Sequence, residues 1–435
     1  TAVMALILRK IRGFMEKENY DFDRPDIDLF NFHPQLCFFY MINGIFFNNR
    51  NSILRFFIPT LCSMAVFVGL GFELMFIHHG IDIKDYPFAA ESFCYIMLLV
   101  TVPNLYTSVL MRRDLIIEQI DLINGDFLYI RNLGPRHRDS FTKGQLKIWR
   151  WCWTWLGLCF GAAFVYVLNG FGMLLYHTFF VTLDENSVRP LIFPFWLPHD
   201  DPYRTPNYEV FLFFEIWLIF IINQSFGAYI YIQFHILLHY INLIDMIILD
   251  IEVIFEGLDE SVVELPMHDP RRMEVRGILN GRLKRIVYWH SAVFKSIDML
   301  SSVYGPTLAY QVGFSAIIIC LVAYQVVDSL EKGKVHIFFC LLLVEAFVQL
   351  WIPCYLGTLM KDKALSIADT CWNCGWERTD LGRMVCTDFL IIMLRAQKTL
   401  TIKFTGLPSL TLETFSSISS TAYSYFNMLR QSTKK

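Results

Sequence analysis

Six polar residues near the end of the chain recur at helical spacing. At about 100° per residue, Glu413, Ser417, Ser420, Ser424, Asn427 and Gln431 fall on one stripe, and Phe415, Ile418, Ala422, Tyr425 and Leu429 fall opposite. Small hydroxyls and amides along a bilayer-length helix suit solvation of a passing cation. Ser420, Ser424, Asn427, Met428 and Gln431 are therefore expected to form a pore wall, with Met428 as its hydrophobic constriction. The competing reading is close helix packing through small residues. Either way the stripe must face protein or water, since facing lipid is costly. One such helix cannot enclose a pore, so several subunits would have to contribute one each.

A second set is apolar. Phe93, Ile96, Met97, Phe160, Phe164, Leu168, Phe213, Trp217, Ile221, Tyr310, Phe314, Phe338, Phe339 and Leu342 are expected to line a cavity in the outer halves of spans two to six. Such a cavity suits an apolar ligand, each buried methylene contributing about 0.8 kcal/mol. Ordinary core or lipid contact is the competing reading for each side chain. Glu91, Asn169, Glu215, Gln311 and Glu345 lie at the same depth and can hydrogen-bond a ligand head group or one another. Enzyme chemistry is not expected: there is no P-loop, HExxH or GxSxG, and no histidine-carboxylate cluster at ligand spacing. Cys371-Trp-Asn-Cys374 has redox or zinc spacing but lacks a second ligand pair, so no metal or cofactor is expected.

Composition indicates what must position these residues. At 55% hydrophobic and 18% charged, the chain is more apolar than a soluble domain allows. Mostly apolar runs at Ser52 to His78, Phe88 to Met111, Leu146 to Phe180, Val210 to Leu238, Thr307 to Val327 and His336 to Leu359 are each long enough for about 30 Å of hydrocarbon. Leu407 to Arg430, serine-rich, makes a seventh. The expected fold is an all-α membrane protein with seven transmembrane helices. Lys and Arg in alternate loops count 26 against 8, which predicts a cytoplasmic N-terminus and an extracellular C-terminus. Ala2 to Ile11 is too short and too basic, with Arg9 and Lys10, for a cleavable signal peptide. The cysteines lie in spans or on the predicted reducing side, so no disulfide framework is expected. No basic patch interleaved with aromatics suggests nucleic acid.

Several helices are too long for a bilayer. Tyr208 to Ile251 contains no proline and predicts one helix of roughly 65 Å. Its inner end, with Ile241, Ile244, Ile248 and Ile251 on one stripe, needs a partner surface. Arg272 to Ser302 and Arg383 to Leu400 read alike, and together they predict a cytoplasmic anchor bundle. Pro59, Pro103, Pro306 and Pro353 are expected to kink helices, with Pro306 the preferred hinge. The proline-rich loop Leu183 to Asn207 is expected to fold over the mouth of the bundle. The resulting division is a cytoplasmic segment 1–50, spans one to six with the pocket in 51–360, an anchor helix region 361–403, and the pore helix with its tail in 404–435.

The residues also resemble a known family. Ile367-Ala-Asp-Thr-Cys-Trp with Trp376-Glu, Leu394-Arg-Ala-Gln-Lys, and Phe404-Thr-Gly-Leu-Pro-Ser-Leu running into Thr414-Phe-Ser-Ser and Tyr425-Phe are similar to the signature region of insect odorant receptors. Gly257-Leu-Asp-Glu-Ser-Val-Val-Glu-Leu-Pro to Asp269-Pro-Arg-Arg, Trp289-His, Ser302-Val-Tyr-Gly-Pro and Tyr310-Gln-Val resemble the moth sex-pheromone receptor branch. The resemblance implies a subunit that joins the odorant co-receptor Orco in a heterotetrameric, ligand-gated, non-selective cation channel of the sensory dendrite membrane. Its ligand would be a hydrophobic pheromone: a long unsaturated alcohol, aldehyde or acetate. It also implies a gate at or near Met428, where the family commonly has valine. A G-protein-coupled receptor is the competing seven-helix class, disfavoured by the charge bias and the missing NPxxY. A channel assembly subunit that binds no ligand is the third reading.

Overall fold

The computed structural model describes residues 2–18, 20–21, 27–46, 52–84, 86–180, 189, 191–198, 201–333, 335, 337–403 and 409–433. These form helices and irregular segments, with no strand among the described residues. In chain order the helices are α1 (Ala2–Met15), α2 (Leu29–Phe32), α3 (Gln35–Ile42), α4 (Phe57–Asp82), α5 (Tyr86–Met111), α6 (Arg113–Arg131), α7 (Pro135–Phe179), α8 (Asn207–Glu252), α9 (Pro270–Glu331), α10 (Ile337–Asn373), α11 (Cys386–Ala396) and α12 (Leu412–Thr433). Six of them, α4, α5 and α7 to α10, are long and apolar enough to cross a membrane. The seventh, α12, has 22 residues, a length of roughly 33 Å.

The long helices have simple local causes. Asp269 caps α9 by accepting from the Arg271 N–H at 2.9 Å, and Pro270 occupies the first turn, where no amide partner is needed. From there α9 runs 62 residues, straight through the position of Pro306. The expected cytosolic helix and fifth span are thus one element. Helix α8 runs 46 residues, close to the predicted limits. Beyond its last turn, Arg282 donates to the carbonyls of Val253 (2.9 Å), Ile254 (2.6 Å) and Glu256 (3.0 Å), satisfying oxygens that the helix leaves open. The expected extension Arg383 to Leu400 is shorter than predicted: a 3-10 turn over Asp380–Met384 precedes α11.

From Gly227 to Ile244 every residue of α8 is buried, enclosed by α3, α7, α9 and α10. Helices α2 and α3 fold back against this basic end of the bundle, placing Phe32, Leu36, Phe39 and Tyr40 in its core. The partner surface anticipated for the isoleucine stripe is therefore the chain's own, and Ile244 and Ile251 are fully covered. Close approach is set by Gly144 on α7, where an added Cβ would lie 1.8 Å from the Asn242 side chain of α8. Asn242 in turn donates to the Phe141 carbonyl at 3.2 Å.

Some of the polar groups in this core are linked in chains. His33 Nε2 contacts Gln145 Oε1 at 3.2 Å, Gln145 Nε2 contacts His239 Nδ1 at 3.1 Å, and His239 Nε2 contacts Asp126 Oδ2 at 3.1 Å. Burial, with His235 beside it, holds the His33 pKa well below the usual histidine value, so that link is neutral. Deeper in, the fully buried Asp250 carboxylate accepts from Arg285 Nε at 2.7 Å and lies 2.7 Å from His137 Nε2. Removing one member leaves an uncompensated charge. Asp250→Ala or Arg285→Ala is expected to cost about 3–5 kcal/mol, whereas replacing both with apolar residues costs far less. Thermal unfolding of the detergent-solubilised chain checks this: equal midpoints for single and double variants would contradict it.

Candidate ligand and pore surfaces

The half of the bundle away from the basic end has its own core. It gathers Tyr95 and Leu99 of α5, Tyr166 of α7, Ile192, Phe193 and Phe195 of the α7–α8 loop, Leu212, Leu218 and Ile221 of α8, and Phe339 and Leu342 of α10. Five rings form its centre. Tyr95 lies 4.9 Å from Phe193, 5.2 Å from Phe338 and 6.0 Å from Phe339 between centroids, and Phe338 lies 5.0 Å from Tyr166. Tilted and edge-on pairs at this spacing are favourable beyond their buried area.

The loop enters because polar groups below hold it. Glu215 of α8, fully buried, accepts from the Ile192 N–H at 2.9 Å. Gly170 leaves room for the Ile192 side chain, which an added Cβ would approach to 2.9 Å. Arg189 Nη1 donates to Thr205 Oγ1 and Glu209 Oε1, each at 3.0 Å. Two of the anticipated polar groups are thus engaged within the protein: Glu215 with the loop, and Glu345 with the Tyr166 hydroxyl at 3.0 Å. Gln311 differs. It is buried, its Nε2 has no hydrogen-bond partner, and it borders a cavity of about 10 Å³ shared with Thr101, Tyr310, Ser315, Ile318, Ala346 and Gln349.

The anticipated ligand residues divide between two faces. Ile221, Phe339 and Leu342 are buried in this core, and Ile96, Met97, Tyr310 and Phe338 are half-buried. Phe93, Phe160, Phe164, Leu168, Phe213 and Trp217 are exposed on the outside of the chain. This corrects the expectation of one shared cavity, and the cause is helical spacing: Phe160, Phe164 and Leu168 repeat every four residues and mark the outward stripe of α7, as Phe213 and Trp217 do on α8. The side chain of Phe314 lies outside the described residues. Sequence reasoning missed Tyr95, Tyr166 and Phe193. Tyr95 and Tyr166 face opposite their exposed neighbours, a signal available in the periodicity, whereas nothing in a proline-rich loop marked Phe193 for burial.

Helix α12 packs along α9 and α10. The segment before it crosses α10 at Gly357, where an added Cβ would sit 2.2 Å from the Leu410 carbonyl oxygen, and Thr358 Oγ1 accepts from the Leu412 N–H at 2.9 Å. Ala422 is buried against the chain, and Phe415, Ile418 and Leu429 are partly so. Ser417, Ser420, Ser424, Met428 and Gln431 are exposed and Asn427 is half-buried. Cys374 Sγ donates to the Cys371 carbonyl at 3.2 Å, an ordinary bond within one turn, and among the described residues no group of three His, Cys, Asp or Glu could hold a metal ion.

The fold and these surfaces define a multi-pass helical membrane protein. The family model described as 7tm odorant receptor matches residues 87–423, and the chain belongs to that family, which is not one of enzymes. Among curated relatives, odorant receptor 67c of Drosophila melanogaster is 26% identical over 145 residues, covering 33% of this chain and 35% of the relative. Odorant receptor 82a of the same fly is 22% identical over 253 residues, covering 57% of this chain and 58% of the relative. The chain thus spans between a third and three fifths of these relatives' lengths. The fold is that of the insect olfactory receptor OR5 from Machilis hrabei, solved in complex with eugenol, with a TM-score of 0.70 at 15% identity over 92% of this chain and 98% of that one.

The contact at Gly357 yields a prediction. Because the obstructing atom is backbone, Gly357→Ala must shift the entry to α12 and is expected to cost about 1–3 kcal/mol. Gly157→Ala, where a Cβ meets nothing within 4 Å, should be nearly neutral. Unfolding midpoints of the two variants measure the difference, and equal midpoints would refute the contact.

Proposed function

We propose that this chain is a ligand-gated cation-channel subunit of the sensory plasma membrane, assembling with Orco into a heterotetramer and gated by a long-chain pheromone. The observation that carries the reading is α12: a bilayer-length helix whose serine and glutamine stripe turns away from its own subunit, with Asn427 at its edge half-buried. In a membrane that face needs water or other subunits, and a ring of such helices supplies both. Ser420, Ser424, Asn427 and Gln431 then contact permeating cations, and Met428 narrows the path.

The orientation is supported by the basic loops, which put the N-terminus, α6, α11 and the extended ends of α7 to α10 in the cytoplasm as the anchor. The ligand is an unsaturated alcohol, aldehyde or acetate of the kind suggested by the moth pheromone-receptor motifs. Its chain packs among Tyr95, Tyr166, Phe193, Phe338, Phe339 and Leu342, partly displacing the loop, and its oxygen accepts from the unpaired Gln311 Nε2. Thr101 lies six residues inward from Tyr95 on α5, roughly 9 Å, a span that an extended acyl chain covers. Binding opens the channel only insofar as the open state binds this ligand more tightly. The unused donor supports a polar head: meeting it removes the penalty of a buried unsatisfied amide.

Ligand-evoked current from cells expressing this chain with the co-receptor, under G-protein blockade, tests the reading. Fast current should persist. Tyr95→Ala and Phe338→Ala should raise the half-maximal ligand concentration about tenfold or more, as loss of a buried aromatic contact predicts, while Phe164→Ala, on the outer face, should not. Gln431→Glu or Met428→Ala should change ion selectivity or conductance; unchanged permeation in both would remove α12 from the pore.

A further inference from the structure

Helix α1 is amphipathic and largely uncovered by its own chain. Met4, Ile7, Leu8 and Ile11 are exposed, with Phe14 continuing the same face. Lys10 and Arg12 flank that face on either side and Arg9 lies opposite, the distribution of a helix lying in a membrane surface. Its last turn is fixed in place. Phe14 sits 5.3 Å from Trp149 and 4.9 Å from Trp153 of α7, Trp149 Nε1 donates to the Phe14 carbonyl at 3.2 Å, and Arg150 pairs with Glu16. Just beyond, Lys17 Nζ lies over the rings of Trp149 (3.9 Å), Phe32 (4.2 Å) and Tyr20 (5.0 Å), and donates to the Phe32 carbonyl.

The depth of that attachment identifies the occupant. Trp149, Trp151 and Trp153 lie in the first turns of α7's apolar run, where indoles take the level of the lipid head groups. One to three turns further, Leu158, Phe160 and Phe164 are exposed as lipid-facing side chains. The bare face of α1 is thus tethered at the rim of the membrane-spanning surface, and its three cations suit anionic head groups. We propose that α1 lies in the bilayer surface at the basic end, with Met4, Ile7, Leu8 and Ile11 at the acyl boundary and Arg9, Lys10 and Arg12 on anionic phospholipid.

Hydrogen exchange of residues 4–14 tests this in the full chain, reconstituted in phosphatidylcholine vesicles with or without phosphatidylserine. Exchange should slow when phosphatidylserine is present, and raised salt should reverse the effect. Arg9→Gln, Lys10→Gln and Arg12→Gln should each remove roughly fivefold of the protection. Ile7→Gln with Ile11→Gln should lower protection in both vesicles. Unaltered exchange of α8 amides shows that the variants fold; if they do not, the salt reversal in the unsubstituted chain decides. Exchange indifferent to phosphatidylserine and salt would overturn the proposal. So would protection that follows protein-to-lipid ratio alone, which would place α1 against a second copy.

Discussion

A helix without a free face organises this protein. Over the stretch from Gly227 to Ile244, α8 is covered on every side, so the polar groups it carries have only neighbouring helices to bond to. His239 and Asn242 bond to α6 and α7, and Asp250, beyond that stretch, bonds to α9. Hydrophobic burial has no direction, whereas these bonds do. They fix the rotation of each surrounding helix about α8, and through α9 and α10 they fix the plane along which α12 lies.

The two ends of the bundle solve different packing problems. At the basic end the chain supplies extra elements, α2, α3, α6 and α11, and the core is continuous with the spans. At the other end the described parts of the connections supply no such layer, and one loop is drawn inward. Glu215 holds the backbone of Ile192, and Phe193 fills the space between Tyr95 and Phe338. A core completed by a loop opens at lower cost than one completed by helices, because fewer contacts move together. On the proposed function, ligand entry at that end and rigid assembly at the other would follow from the same asymmetry.

How much could be read in advance depended on the contrast each feature offered. The long helices were legible because α8 lacks proline and α9 begins at an Asp-Pro cap. Helix α12 was legible because serines repeat on one face of a weakly apolar run. The facing of α7 was misjudged because lipid and protein core are equally apolar: Phe164 and Phe339 are identical side chains, yet one is outside and the other inside. Only the four-residue repeat of Phe160, Phe164 and Leu168, set against buried Tyr166, separates the two faces of α7. Pro306 was expected to kink its helix, and α9 is continuous through it. A proline removes one amide donor and crowds one carbonyl, which a 62-residue helix held along its length tolerates without ending.

Gln311 brings these strands together. It lies on α9, the helix that also carries α12, and its free amide borders a cavity reached from both α5 and α10. A buried unpaired donor is costly unless something occasionally satisfies it, so its presence beside the helix that backs the polar stripe requires a reason. The cavity beside it, about 10 Å³, has room for little more than one water molecule. On the proposed function, an oxygen borne on a long apolar chain would satisfy it while also separating α5 from α10. Of these two occupants only the second acts differently on two packings of the bundle, and differential action is what moves an equilibrium.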